Sequence, residues 1–328
     1  MERESKGKFW CVTIFVLVGG GSLLCQTTGS RASWTQQASG TQRTLLDVWG
    51  ASPTDVFAVG DDGVILHYNG NTWYPQQSDT SVRFNAVWGA SGRDVFAVGD
   101  VGTVIHYDGN TWRRADGDCG SLSNLHAIWG TSRTNVFAVG ESGTILHYDG
   151  NRWWRQRSKT THELFGLWGL SPEQVYAAGA SGTVLHYDGS WWQPLDQRIP
   201  GTYNLLGIWG TSATNLYLVG TRTIYVEMRP KPQETVPTWE SRMFHYDGSS
   251  WRTVSSMIER LAPITAVKVI SPTDVYAIGA GGTIAHFDGI SWTTISTPTH
   301  ANLFGVWATK AGEIFAVGEI GTILRRIP

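Results

Sequence analysis

A single repeated pattern dominates the sequence. It occupies residues 45–73, where Leu-x-x-Val-Trp-Gly-x-Ser is followed by Val-Phe-Ala-Val-Gly and then by Leu-His-Tyr-Asn-Gly-x-x-Trp. The first residues of its seven copies are Leu45, Phe84, Leu125, Leu164, Leu205, Ile264 and Leu303. The steps between copies are 39, 41, 39, 41, 59 and 39 residues. Such a period is typical of repeat architectures, in which each unit buries its apolar surface against its neighbours.

Each unit predicts a small antiparallel sheet. Three short β-rich runs and a fourth run that begins with Trp are separated by Gly, Pro, Asn and Asp at turn positions. A four-stranded sheet of this size cannot bury both faces alone, and radial stacking of such sheets forms a β-propeller. Charged residues make up only 16% of the chain, which excludes a coiled coil or a disordered chain. The formal net charge of −2 disfavours a nucleic-acid partner.

The two ends of the repeat region predict a closed ring. The last unit stops at residues 321–326 without its Trp-led fourth strand, while residues 33–37 form an isolated fourth strand that resembles residues 72–76 of the first unit. Pairing the two fragments removes two exposed sheet edges, which are a liability in any open β array. We therefore expect residues 33–328 to form one all-β domain, a seven-bladed β-propeller of four-stranded antiparallel blades. The N-terminal strand would complete the last blade.

The repeat also resembles known propellers. The tract Val-Phe-Ala-Val-Gly-x-x-Gly-Thr-Ile-Leu-His-Tyr-Asp-Gly-x-x-Trp, nearly intact at residues 95–112 and 136–153, resembles repeats of bacterial exported β-propeller proteins. It is also similar to Asp-box propellers of the photosystem II assembly-factor and sialidase type. The resemblance implies a propeller fold. It leaves an Asp-box-like glycoside hydrolase or lyase as the alternative to a binding function, because one fold hosts many activities.

The N-terminus is typical of a signal peptide. Basic residues in the first eight positions precede the apolar run 9–18, which is too short to span a bilayer as a helix. Small residues at Ser30 and Ala32 predict cleavage after residue 32. An uncleaved signal anchor and a lipoprotein signal with Cys25 modified remain alternatives. We expect a secreted or cell-envelope protein with no membrane span after processing.

Two rows of polar residues recur at equivalent positions and are interpreted as structural. The third strands carry His67, His106, His147, His186, His245 and His286. The following turns carry Asp108, Asp149, Asp188, Asp247 and Asp288. The histidines would diverge around the ring, whereas a zinc site needs several ligands at one point. Asp-Gly is a common hairpin signal, so the aspartates are assigned to turns. We expect no metal and no cofactor.

Tryptophan recurs at two positions of each unit. The outer strands begin with Trp34, Trp73, Trp112, Trp153, Trp192, Trp251 and Trp292, which we expect to pack between blades. The inner strands end with Trp49, Trp88, Trp129, Trp168, Trp209 and Trp307, and Lys268 takes this place in the sixth unit. Packing is the favoured interpretation for the inner set. A ring of indoles near one mouth of the channel is also a candidate for stacking on sugar rings or aromatic ligands.

Function is predicted to lie in loops. No nucleophile elbow, dinucleotide-binding or P-loop motif is present, so an enzyme is not favoured. The segments at 75–83, 114–124, 155–163, 193–204 and 253–263 differ between units, whereas the turns at the other end are monotonous. Specificity usually resides in variable loops on a rigid scaffold. We expect a monomeric, non-catalytic binding or scaffold protein for a protein or glycan ligand.

The fifth unit contains the one long insertion. About 20 extra residues, from 221 to 240, include three prolines, so we expect neither a flexible linker nor a simple strand extension. Arg222, Tyr225, Arg229 and Trp239 belong to residue types that are enriched at binding hot spots. We expect the insertion to project from the face of the variable loops and to contact the partner. A tolerated insertion that only lengthens a hairpin is the alternative.

Overall fold

The structure is a computed structural model that describes residues 33–115, 122–195, 199–227, 235–254, 263–271 and 273–328. For residues 225–227 and 235–239 it describes the backbone alone. The predicted signal peptide lies outside the described residues and stays a prediction, and so does Cys25, whose lipidation stays an alternative. Among the described residues there is no helix of the length and apolar character that crossing a membrane requires.

Seven four-stranded antiparallel sheets form the blades. The innermost strands, which open blades 1 to 7, are β2 (Leu45–Ser52), β6 (Phe84–Ser91), β10 (Leu125–Ser132), β14 (Leu164–Ser171), β18 (Asn204–Ser212), β22 (Ile264–Ser271) and β26 (Leu303–Ala308). The second strands are β3 (Asp55–Gly60), β7 (Asp94–Gly99), β11 (Asn135–Gly140), β15 (Gln174–Gly179), β19 (Asn215–Glu227), β23 (Asp274–Gly279) and β27 (Ile314–Gly318). The seven-bladed fold is thereby confirmed.

The outer half of each blade consists of two further strands. The third strands are β4 (Ile65–Tyr68), β8 (Val104–Tyr107), β12 (Ile145–Tyr148), β16 (Val184–Tyr187), β20 (Thr235–Tyr246), β24 (Ile284–Phe287) and β28 (Ile323–Arg326). The fourth strands are β5 (Trp73–Gln76), β9 (Trp112–Arg114), β13 (Trp153–Gln156), β17 (Trp192–Pro194), β21 (Trp251–Val254), β25 (Trp292–Ile295) and β1 (Trp34–Gln37). Short 3-10 turns follow the second strands at Asp61–Gly63, Asp100–Gly102, Glu141–Gly143, Ala180–Gly182 and Ala280–Gly282.

The N-terminal strand closes the ring. β1 pairs antiparallel with β28, with Trp34 opposite Arg326 and Gln37 opposite Ile323. Trp34 is 6% exposed and belongs to a cluster with Tyr276 of blade 6. The predicted closure is confirmed, because the strand order of this sheet is β1-β28-β27-β26.

The hydrophobic core lies between blades. Phe57 on the second strand of blade 1 packs edge-on against Trp112 of blade 2, with ring centroids 6.0 Å apart at 78°. The same edge-on contact joins Phe96 to Trp153 and Phe137 to Trp192. Each outer-strand tryptophan therefore attaches its blade to the previous one, which confirms their predicted packing role.

The two ends of the ring differ in what they carry. Asp61 N, in a turn after a second strand, donates to Thr44 O, in the segment before an inner strand, at 3.0 Å. We call this end, with the blade-joining segments and the second-to-third-strand turns, the variable face. The opposite face carries the Asp-Gly turns, where the Asp108 carboxylate accepts hydrogen bonds from the backbone N–H groups of Asn110 and Thr111. The turn role assigned to these aspartates is confirmed.

Candidate functional site

The inner-strand indoles lie on glycines of the next blade. A Cβ atom added to Gly89 would lie 2.6 Å from Cη2 of Trp49, so only glycine leaves room for the ring. The same arrangement places Trp88 on Gly130, Trp129 on Gly169, Trp168 on Gly210 and Trp307 on Gly50. Inter-blade packing therefore covers one side of each of these rings, as the favoured interpretation expects.

Blade 6 interrupts this series in a coordinated way. Lys268 takes the place of the tryptophan and Val269 that of the following glycine, while blade 7 has Ala308 at the glycine position. A tryptophan at 268 would meet the methyl group of Ala308, whereas a lysine side chain can turn away. The Lys268 Nζ lies 4.6 Å from the ring centroid of Trp209, as in a cation–π contact.

Asp47 is a second charged residue in the inner strands, and no sequence motif pointed to it. Its carboxylate accepts hydrogen bonds from Val48 N at 2.8 Å and from Val87 N of blade 2 at 2.9 Å. Burial raises the pKa of Asp47 to about 6 despite these bonds, and burial lowers the pKa of Lys268 to about 8. A signal was nevertheless available, because other blades have Ala86 or Gly166 at this repeat position.

Other polar residues of the inner strands also bind the next blade. The Asn85 side-chain amide donates to Leu125 O at 2.9 Å, and the Thr265 hydroxyl donates to Leu303 O at 2.5 Å. Both residues occupy the second position of an inner strand, where the ladder skips one residue as a β-bulge. These side chains join the inner strands of neighbouring blades, which is a structural role.

The histidine row is held within individual blades. His67 Nε2 lies 2.6 Å from the Asp55 carboxylate, and its ring stacks on Phe57 with centroids 3.9 Å apart. In blade 3 the partner is neutral, with His147 Nε2 at 2.6 Å from the Asn135 side-chain oxygen. Burial lowers the pKa of His147 to about 4. These contacts support the structural interpretation of the row.

The insertion in blade 5 is a long hairpin, which we call the arm (residues 221–240). β19 and β20 pair without interruption from Leu216 opposite Tyr246 to Glu227 opposite Thr235. The expectation that it is not a simple strand extension is wrong. The alternating run Thr-Arg-Thr-Ile-Tyr-Val-Glu at 221–227 has a strand pattern, and it outweighs the prolines. Because it replaces a second-to-third-strand turn, the arm extends from the variable face as predicted.

Of the four candidate residues in the arm, the structure places three. The register sets Tyr225 opposite Pro237 and Trp239 opposite Thr223, whereas Arg229 lies outside the described residues. Arg222 is opposite Glu240 at the base of the arm. The three placed residues are therefore brought onto one hairpin, and Arg222 is the one whose side-chain contacts are described.

A charged cluster fixes the base of the arm. Glu240, whose side chain is 12% exposed, accepts hydrogen bonds from Arg222 at 2.9 and 2.5 Å, from the Tyr203 hydroxyl at 2.8 Å, and from Arg242. The Arg222 guanidinium lies 5.0 Å from the ring centroid of Tyr203. Burial acts to raise the pKa of Glu240, but the hydrogen bonds from Arg222, Tyr203 and Arg242 outweigh it and hold the pKa at about 2. The Arg222 side chain is thus bound to Glu240 at the base of the arm.

A groove lies on the variable face beside blades 3 and 4. It has a volume of about 280 Å³ and is lined in part by Lys159, His162, Thr183 and Ile199. His162 Nδ1 lies 2.7 Å from the Thr183 hydroxyl. The variable face therefore offers a concave surface as well as the projecting arm.

Comparison with known proteins supports the fold and no closer relationship. No known protein family matches the sequence, and neither does any curated protein. The solved structure of YCF48 bound to D1 peptide is similar at a TM-score of 0.70 and 18% identity, covering 91% of this chain and 98% of that one. YCF48 from Cyanidioschyzon merolae is similar at a TM-score of 0.68 and 18% identity, covering 90% of this chain and 99% of that one. The chain has a β-propeller fold.

A third similar structure shows how general this fold is. The WD40 β-propeller domain of Doa1 has a TM-score of 0.69 at 11% identity, covering 90% of this chain and 97% of that domain. Two differently named propellers thus superpose about equally well. Similarity at these identities shows the fold alone, because one fold hosts many functions.

Proposed function

We propose that this protein is a non-catalytic binding or scaffold propeller that holds a protein partner on its variable face. The observation that carries the proposal is the arm. Five other blades make the same connection with a three-residue 3-10 turn, whereas blade 5 extends two paired strands beyond the ring. A hairpin with an anchored base loses less conformational entropy on binding than a free loop does.

The arm has two parts, an anchored base that contains Arg222 and the inserted residues that lie beyond it. Arg222 and Glu240 form the anchor together with Tyr203. Tyr225, Arg229 and Trp239 lie further along the inserted sequence, and Tyr, Arg and Trp are the residue types that dominate binding hot spots. We assign partner contact to these three positions. One similar propeller is YCF48 bound to D1 peptide, which is a precedent for peptide binding by this fold.

A protein ligand is favoured over a glycan by the packing of the inner indoles. Sugar binding would use an open aromatic face, but one face of Trp49, Trp88, Trp129, Trp168 and Trp307 lies against a glycine of the next blade. The inner-strand tryptophans are therefore secondary candidates for ligand binding. The arm contributes Tyr, Arg and Trp, which are the residue types of binding hot spots, from an insertion that the other blades lack.

The test compares the full chain with a variant in which residues 221–240 are replaced by a short turn copied from Ala280–Gly282 of blade 6. Both are used to capture cross-linked proteins from the native source, and each candidate is then purified and titrated by calorimetry. We expect one partner whose affinity falls at least about 100-fold in the arm-replaced variant, because hot-spot residues dominate binding energy.

Trp191→Ala is the matched control, because Trp191 is 64% exposed on an Asp-Gly turn of the opposite face. It should leave the affinity unchanged. Equal binding by the arm-replaced variant would refute the role of the arm. Binding on a glycan array without any protein partner, or turnover in a hydrolase panel, would refute the proposed function.

We also propose that the protein is exported and loses residues 1–32. The support is the sequence pattern of a basic start, a short apolar run and Ser30-Arg31-Ala32. N-terminal sequencing of the mature protein should begin at Ser33. An intact Met1 on membrane-bound material would contradict cleavage.

A further inference from the structure

Three metal-ligand side chains meet on the variable face at the junction of blades 3 and 4. His126 occupies the bulge position of β10, Glu141 opens the turn Glu141–Gly143, and Glu163 directly precedes β14. One ligand atom from each lies within 4.8 Å of the other two. Two residues of blade 3 and one from the segment that leads into blade 4 thus converge at one point.

The His126 ring presents an unpartnered nitrogen to this point. Its Nε2 is inaccessible to solvent and has no hydrogen-bond partner among the described residues. The nearest carboxylate oxygen, Glu163 Oε1, lies 3.8 Å away, beyond hydrogen-bond distance. The ring contacts Phe165 of the next blade, with centroids 5.6 Å apart. A buried imidazole nitrogen without a partner is costly unless a ligand satisfies it.

Glu141 is held in place by the backbone and side chain of Asn124. The backbone N–H of Asn124 donates to Oε2 at 3.2 Å, and its side-chain amide donates to Oε1 at 2.8 Å. Each carboxylate oxygen accepts one bond and keeps a further lone pair. The Glu141 carboxylate is therefore oriented in advance.

Blade 7 contains a natural comparison for this arrangement. Asn302 and Glu319 form the same pair at 3.2 and 2.9 Å. At the positions equivalent to His126 and Glu163, however, this junction has Phe304 and Thr44. The Asn–Glu pair is thus a recurring turn contact, whereas the junction of blades 3 and 4 adds an imidazole and a second carboxylate to it.

We propose that His126, Glu141 and Glu163 bind a divalent transition-metal ion, with Zn²⁺ as the probe. One imidazole nitrogen and two carboxylate oxygens are typical zinc ligands, and the two carboxylates balance the charge of the ion. Three protein ligands leave a fourth position, and Glu163, 45% exposed, lies on the solvent side. The ion joins blade 3 to the start of blade 4, a role that goes beyond the proposed function.

The experiment titrates chelator-treated full chain with ZnCl₂ by calorimetry and counts bound metal by mass spectrometry. We expect one Zn²⁺ per chain. His126→Phe, which introduces the residue that blades 4 and 7 have at this position, should lower the affinity at least tenfold while the chain still folds. Glu163→Gln should lower it by a similar factor, and visible absorption of the Co²⁺-loaded protein should be lost in both variants.

Two controls separate this site from unspecific binding. His162→Ala removes an exposed histidine next to Glu163, and Glu319→Gln alters the equivalent pair in blade 7. Both should bind Zn²⁺ like the unmodified chain, as should the arm-replaced variant, so this test does not depend on the partner. No stoichiometric Zn²⁺, or unchanged affinity in His126→Phe, would overturn the proposal.

Discussion

At the scale of single residues, five of the third-strand histidines have a hydrogen-bond partner whose charge differs between blades. His67, His106 and His286 face the carboxylates of Asp55, Asp94 and Asp274, and His147 and His245 face the amides of Asn135 and Asn215. A carboxylate within hydrogen-bond distance stabilises the imidazolium form, whereas an amide does not. Blade 3 can therefore be converted to the other type by one substitution.

The first prediction concerns Asn135→Asp. Burial lowers the pKa of His147 to about 4, and a new carboxylate at 135 should raise this pKa. An NMR titration of the His147 ring measures the change. Asn135→Ala is the control, since it removes the hydrogen bond without adding charge and should leave the pKa low. An unchanged His147 pKa in Asn135→Asp would contradict the assignment.

The same group makes stability depend on pH. In the unfolded chain the pKa of His147 is about 6.5, whereas in the folded chain it is about 4. Between these two pH values the unfolded state therefore binds more protons than the folded state. The contribution of His147 to the free energy of unfolding is therefore complete above about pH 6.5 and is lost as the pH falls to about 4. Chemical denaturation at several pH values should show a smaller loss in Asn135→Asp than in the unmodified chain.

At the scale of elements, the contact between an inner-strand indole and the next blade's glycine determines how closely blades approach. A Cβ atom at Gly89 would lie 2.6 Å from Trp49, whereas one at Gly207 would lie 3.8 Å from its nearest neighbour, in Val267. Both glycines lie on innermost strands. Only the first is required by the packing of a neighbouring blade.

Gly89→Ala should therefore destabilise the protein by about 1–3 kcal/mol, the usual cost of overpacking. Gly207→Ala is the matched control and should have little effect, since three other blades carry alanine at its repeat position. Urea denaturation of the two variants measures the difference in unfolding free energy. Equal stability of the two variants would show that the indole can shift without cost.

The base of the arm offers a second prediction at this scale. Glu240→Gln removes the charge that binds Arg222 and Arg242, so the arm should open locally while the blades stay folded. Hydrogen exchange should accelerate for the amides of 221–226 and remain unchanged in β11 and β12 of blade 3. Glu173→Gln, at an exposed position on the opposite face, is the control. Unchanged exchange in the arm would mean that strand pairing alone fixes it.

At the scale of the whole molecule, closure depends on four residues from the start of the domain. β1 supplies the outer strand of blade 7, and Trp34 packs in the cluster shared with blade 6. The pairing of β1 with β28 joins the first and the last strand of the domain in one sheet. Loss of the N-terminal strand would therefore remove contacts between residues from opposite ends of the described chain, such as Trp34 and Arg326.

Trp34→Ala should lower the stability of the ring by about 3–5 kcal/mol, the usual cost of truncating a buried aromatic residue. The melting temperature should fall and aggregation should increase, because the edge of β28 becomes accessible. Trp191→Ala, which truncates a tryptophan that is 64% exposed, is the control and should leave the melting temperature unchanged. An unchanged melting temperature in Trp34→Ala would refute closure as a source of stability.

The sequence by itself determined the blade number, the strand order, the closing strand and the packing of the outer tryptophans. These features follow from short-range patterns that recur seven times, so each unit repeats the evidence of the others. It also located the arm, because an insertion is visible as a break in the period. The prolines predicted an irregular arm, whereas the strand pattern at 221–227 pairs with β20 even at Pro237.

Only the tertiary structure brought together residues that lie far apart in the chain. His126, Glu141 and Glu163 are up to 37 residues apart in the chain, Asp47 reaches Val87 of the next blade, and Tyr203 joins Glu240. Such contacts depend on the distance between blades and on bulges that redirect single side chains. A local sequence pattern predicts neither of these features. A repeat specifies what its copies share, whereas the candidate sites arise where the copies differ and their differences meet in space.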